Sequence, residues 1–173
     1  MSSSPFPLNE KSPFDWKAPW TLSTHCSVAR YDCRQACRPS RTLVLCAFKQ
    51  LQQEHVDRWI GRAVYDLAIP ASPLELPPDA KRAVIEVPCL GRKWRPVRRL
   101  IDGGMASSIA HPPIRARTIT VYSDVGAILT ALGVESKAEV QARVVTRSGE
   151  ILAAAEGEPV GDAWDAIARE LFS

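Results

Sequence analysis

The chain has 173 residues, enough for one domain around a single buried core, and its 46% hydrophobic and 24% charged residues are ordinary for a globular protein. A formal net charge of +3 gives no overall preference for nucleic acid or for an anionic membrane. No apolar run approaches the roughly 20 residues that span a bilayer, and five cysteines, an odd number with no export signal beside them, argue against a disulfide framework.

Residues 1–41 read as a Ser/Pro/Cys-containing arm, poorly ordered or loosely docked, with Trp16 and Trp20 able to pin its end to the core. Met1 to Pro13 has neither an apolar h-region nor an arginine-rich amphipathic pattern, so the expected compartment is the cytoplasm. Residues 42–173 form the expected folded domain. Residues 42–48 are a continuous apolar run, as in a strand buried on both faces. Residues 50–67 follow as a helix with Val56, Trp59, Ile60, Ala63, Val64 and Leu67 on one face. Pro70, Pro73, Pro77 and Pro78 mark a loop, and Ala83–Val87 is a second strand that Pro88 should stop.

Arg92 to Ile101 reads as a short helix with Pro96 in its first turn, Trp94, Val97 and Ile101 facing inward, and Gly103–Gly104 ending it. A loop with Pro112 and Pro113 leads to a third, half-buried strand at 117–122. Asp124 should cap a helix whose stripe is Val125, Ile128, Leu129 and Leu132, with Gly133 at its end. Strands at 139–146 and 150–155 are joined by the tight turn Arg147-Ser148-Gly149. Asp162 should cap the last helix, whose apolar face is Trp164, Ile167, Ala168 and Leu171. The order β-α-β-α-β-α-β-β-α predicts an α/β fold: a mixed sheet flanked by helices on both faces, with early parallel crossovers and a late antiparallel hairpin.

This order resembles the thioredoxin-like superfamily in its TlpA/peroxiredoxin-type form. Leu43–Phe48 with Lys49-Gln50, Trp59, Ile101-Asp102-Gly103-Gly104-Met105, Arg115–Asp124 and Leu132-Gly133 resemble the assembly-factor family for mitochondrial ATP synthase and its bacterial relatives. The likeness spans about residues 42–172 and is spread over many positions. Ser23–Ser40 departs from it, since a glycine-containing hairpin is expected there. The resemblance implies a thioredoxin-like mixed sheet and an accessory role in building a larger complex.

Redox members of the superfamily carry Cys-x-x-Cys at the start of the first helix, where the helix dipole favours a thiolate. Gln53 and Val56 stand at that spacing here, and the stretch Val134–Val140, where such enzymes place a cis-proline, has no proline. A redox-inactive scaffold is therefore expected. Cys46 reads as a core hydrophobe, and Cys89 as an inert loop cysteine, the alternative being a lone reactive thiol in a peroxiredoxin-like or thiol-dependent oxidoreductase that uses Cys89 or the N-terminal cysteines. His25, Cys26, Cys33 and Cys37 are a weak zinc-like cluster, which leaves a metal-binding module at 25–37 as a further alternative; free cysteines are the simpler reading.

Arg92, Lys93, Trp94, Arg95, Arg98 and Arg99 form the strongest charge feature, able to hold a phosphate, an acidic partner or an anionic surface, against the plain reading of a solvated helical face. With the neighbouring loop 103–113 they are the candidate contact surface for a protein partner. Trp94 is the sole aromatic among them, so no nucleic acid is expected. Lys49 and His55 read as exposed helix residues, although a small anion could sit between them. No phosphate loop, Gly-x-Ser-x-Gly elbow or His-Glu-x-x-His occurs, and no cofactor is implied.

Overall fold

The computed structural model describes residues 39–108 and 116–173, with only the backbone of Arg98 and residues 105–108. The arm up to residue 38 and the stretch with Pro112 and Pro113 lie outside the described residues.

β1 (Arg41–Ala47) occupies the centre of a five-stranded sheet of order β3-β2-β1-β4-β5. It pairs parallel with β2 (Arg82–Gly91) and antiparallel with β4 (Gln141–Thr146). Hemmed in on both edges and both faces, it has no polar face to show, which is why Leu43 to Cys46 are all apolar and essentially unexposed. Leu43 and Leu45 enter one core and Val44 and Cys46 the other, as strand alternation requires. β5 (Ile151–Glu156) extends the sheet from β4 through a hairpin closed by Gly149 at φ +90°.

α1 (Gln53–Leu67) follows a 3-10 turn at Gln50–Gln52 and buries Val56, Trp59, Ile60, Ala63 and Leu67, the face expected from spacing. It shares the first core with α4 (Gly161–Phe172), which contributes Trp164, Ile167 and Leu171. The Trp59 and Trp164 rings lie 6.0 Å apart and tilted by 47°, a favourable aromatic geometry, and Trp59 Nε1 donates to the Gly157 carbonyl at 2.9 Å. α3 (Val125–Leu132) covers the opposite face. Asp124 Oδ1 accepts the Ala127 N–H at 3.2 Å, and Gly133 ends the helix at φ +70°. Of the expected α3 stripe only Leu132 is fully buried; Val125, Ile128 and Leu129 are half-buried.

Several local expectations are corrected. Pro88 does not stop β2, which continues to Gly91. Pro88 stays in register with Ala47 of β1; on the other edge Glu86 bridges Thr118 and pairing resumes at Cys89 with Val121, so Pro88 falls in a gap of the β2–β3 ladder, the side its missing N–H would face. For the same reason the third strand is not continuous over 117–122: residues 116 and 117 are helical, Thr118 forms a single bridge, and β3 covers only Val121–Ser123. Arg92–Val97 is 3-10 helix, and α2 runs Arg98–Ser108 straight through Gly103–Gly104, neither of which adopts positive φ. Trp94 and Val97 do not face inward; they are 44% and 42% exposed. α4 starts at Gly161, so Asp162 lies within the first turn, where its carboxylate still complements the helix dipole.

Two backbone positions carry opposite residues for their conformations. Ala68, which ends α1, sits in the left-handed region at φ +51°, whereas Gly103 is helical and a Cβ added there meets open space. Both Ala68→Gly and Gly103→Ala are therefore expected to stabilise the domain, each by about 0.5–1 kcal/mol. Urea unfolding of the two variants checks this, and a lower midpoint for either one contradicts it.

Candidate functional site

In open α/β sheets the ligand crevice lies beyond the carboxyl end of the strand where the chain's connections diverge. β1 is that strand: α1 carries the chain to β2 on one side, and β4 lies on the other. Gln52, in the turn that follows β1, is 5% exposed. Its Oε1 accepts the N–H groups of Phe48 at 2.7 Å and Lys49 at 3.1 Å. Its Nε2 donates to the carbonyls of Lys137 at 3.1 Å and Ala138 at 2.8 Å. One amide thus satisfies four backbone groups and sews the β1–α1 junction to the segment leading into β4. The sequence carried one faint signal for it, a glutamine three residues after the turn begins, but Lys49 replaces the Ser or Thr that would complete a capping box.

Gln53, the first residue of α1, is exposed and donates to Asp57 Oδ1 at 3.2 Å. Val56 is fully buried in the core shared with α4. Neither position offers a thiol, and no cis peptide bond occurs among the described residues. The described cysteines are Cys46 and Cys89, both buried and reduced. Cys89 is not in a loop; it lies within β2, and its Sγ donates to the Val87 carbonyl at 3.4 Å. The neighbouring Cys46 side chain, with burial added, pushes the Cys89 thiol well above its ordinary range, which disfavours the nucleophilic thiolate. His55 Nε2 lies 3.7 Å from Glu158 Oε1, so a carboxylate already faces it, and Lys49 is exposed at the junction. His25, Cys26, Cys33 and Cys37 lie outside the described residues.

Of the buried charged residues Glu86, Asp102, Arg117 and Arg143, the sequence reading marked none as interior, and two stand in the sheet. Arg143 on β4 is 3% exposed and donates to the carbonyls of Leu132, Ala142 and Ala155 and to Gln141 Oε1, each near 3.0 Å. Burial lowers its pKa. Glu86 on β2 is 4% exposed and accepts from Thr118 Oγ1 at 3.5 Å. Burial raises its carboxyl above the ordinary value; Arg117, the Gln53 side chain and Thr118 pull the other way, and Asp57 adds to the rise. In a strand context both residues look like outward-facing polar positions, and nothing local marks them as interior.

The basic residues sit on the 3-10 stretch and the first turn of α2. Arg92, Lys93, Arg95 and Arg99 are exposed, while the Arg98 side chain lies outside the description. Lys93 Nζ stands 5.6 Å from the centre of the Trp94 ring, within cation–π range. Leu100 is 78% exposed beside the half-exposed Trp94 and Val97. Tyr122 Oη donates to the buried Asp102 carboxylate at 2.6 Å and so moors α2 to β3. Of the expected neighbouring loop at 103–113, residues 103–108 belong to α2 and 109–113 lie outside the described residues.

A parallel βαβ unit followed by an antiparallel ββα unit in one sheet, with helices on both faces, makes this a thioredoxin-like fold. No protein-family model matches the chain, and no curated protein matches it. Among solved structures it is similar to the exposed lipoprotein thioredoxin Etrx1 from Streptococcus pneumoniae strain TIGR4, with 13% identity, a TM-score of 0.45, and coverage of 80% of this chain and 88% of that one. No helix among the described residues is long and apolar enough to cross a membrane.

Two expectations test the junction. Gln52→Ala leaves four backbone groups on part-buried hydrogen bonds without their partner and should cost about 1–3 kcal/mol in all, since Lys49, Lys137 and Ala138 lie at exposed positions; an unchanged unfolding midpoint contradicts the clip. Glu86 has a folded pKa raised above its unfolded value, so its contribution is intact below the unfolded pKa and is lost as pH rises through the folded one. Glu86→Gln has no such loss. The stability of Glu86→Gln relative to the native protein should therefore increase with pH across that window and then level off. Parallel pH profiles of the two proteins in urea titrations rule this out.

Proposed function

We propose that this protein is a redox-inactive thioredoxin-like accessory protein that binds another protein, in the assembly of a larger complex, through the basic element at 92–99. The observation that carries this reading is the contrast between two places. At the end of β1 the Gln52 amide is buried and fully engaged by backbone groups, whereas the element after β2 presents exposed basic and apolar side chains together. The high thiol pKa of Cys89 and the absence of a thiol at Gln53 and Val56 support the redox-inactive part. The assembly role rests on the likeness of residues 42–172 to the assembly-factor family.

Replacing Arg95, Arg98 and Arg99 together with glutamate should abolish partner capture from the native host while leaving the circular dichroism spectrum and unfolding midpoint in place. The loss should be about 100-fold or more, in keeping with the 2–5 kcal/mol that follows when interfacial charges lose their partners. Capture at the native level counts against the reading. Peroxide consumption or disulfide reduction by the native protein, lost in its Cys46→Ser or Cys89→Ser variant, would replace it with an oxidoreductase.

A further inference from the structure

On α1, Arg58 is paired with Glu54 and Glu158, both at 2.5 Å, and Arg62 with Asp66 at 2.7 Å. On the basic element, Arg92, Arg95 and Arg99 face no carboxylate partner among the described residues. No Asp or Glu occurs between Arg92 and Ile101, and Asp102 is buried and engaged by Tyr122. Unlike Arg58 and Arg62 on α1, these three therefore have no described carboxylate to offset their charge.

Trp94, Val97 and Leu100 stand three residues apart on the same element. That spacing aligns side chains on a 3-10 turn and keeps them on one side into the first turn of α2. All three are exposed, so a short apolar row runs between free cations. Resting on the reading of this element as the docking surface, we propose that it binds an acidic amphipathic segment of the partner protein. The segment's carboxylates pair with Arg92, Arg95 and Arg99, and its apolar side chains lie on Trp94, Val97 and Leu100.

Three observations favour a protein segment over a lipid surface. Arginine outnumbers lysine four to one between Arg92 and Arg99; planar guanidinium forks match carboxylates in pairs, whereas attraction to a charged bilayer is served equally well by lysine. Trp94 and Val97 are each more than half covered, which gives a shallow floor for side chains rather than a face free to sink into a bilayer. The Tyr122–Asp102 bond holds the element in one orientation, and tryptophan and arginine are the residue types that dominate the energetics of protein interfaces.

The test places a benzophenone photocrosslinker at Leu100 of the full chain in the native host, and the crosslinked partner peptide is sequenced. The expected peptide is rich in Asp and Glu with apolar residues at helical spacing. Its synthetic copy should bind the purified protein in fluorescence anisotropy. Affinity should fall at least about tenfold between roughly 50 mM and 500 mM salt, and as much in the Arg95→Glu/Arg99→Glu variant or when the peptide's Glu residues become Gln. A crosslinked peptide that is neutral or basic overturns the inference, as does full binding by the Gln peptide. Co-sedimentation with phosphatidylserine vesicles that depends on Arg95 and Arg99 assigns the patch to lipid and overturns it too. If charge reversal abolishes partner capture but the crosslinked segment is not acidic, only the chemistry of the segment fails; if capture survives charge reversal, the docking surface itself fails.

Discussion

β1 must satisfy both neighbouring strands and both cores at once, and that constraint organises the molecule. From Leu43 to Ala47 this central strand carries only apolar side chains, so the polar demand beyond it falls on the backbone where the strand ends. The chain leaves β1 at Phe48 and Lys49 with N–H groups still close to the interior, and the Gln52 amide answers them. The same amide reaches the carbonyls of Lys137 and Ala138, some 85 residues further along. The end of the central strand is thus tied to the approach to β4 by one side-chain amide.

The order of elements was legible because it rests on periodicity that tertiary context reinforces. The run from Leu43 to Phe48 and the stripe from Val56 to Leu67 describe burial on two faces and on one, and the sheet supplies both environments. The misread boundaries came from breaker rules that hold only when something is lost. Pro88 breaks a strand if its N–H has an acceptor to miss, and it falls in a gap of the ladder instead. Gly103 and Gly104 end a helix if one turns left-handed, and neither does. Trp94 and Val97 were expected to face a core, but their element starts where β2 finishes, so the sheet offers them less cover than amphipathic spacing assumes.

The site was less legible than the fold. The absent thiols at Gln53 and Val56 could be read directly, and so could the density of arginine at 92–99. Gln52, Arg143 and Glu86 could not. Their partners are mostly backbone carbonyls or side chains far along the chain, and a polar residue in a strand carries no mark of which face the fold will bury.

Such buried polar groups are expensive to desolvate, and a packed apolar substitute would often serve stability as well. What they supply is fixed geometry between elements that apolar packing alone leaves free to slide. Arg143 ties β4 to the end of α3 through Leu132 and to β5 through Ala155. Gln52 ties the β1–α1 junction to the approach to β4, and Asp102 ties α2 to β3 through Tyr122. Apart from the Arg143–Ala155 bond, which joins two strands, these bonds hold a helix or its approach against the sheet. The basic element is among the things so fixed, following β2 directly and held from behind by Asp102. On the docking reading proposed for this element, a surface held in one orientation gives up little conformational entropy on binding, so more of the attraction between its cations and a partner would remain as affinity. The bonds at the end of β1 and the bond behind the basic element thus do the same structural work: each fixes a segment outside the sheet against the sheet.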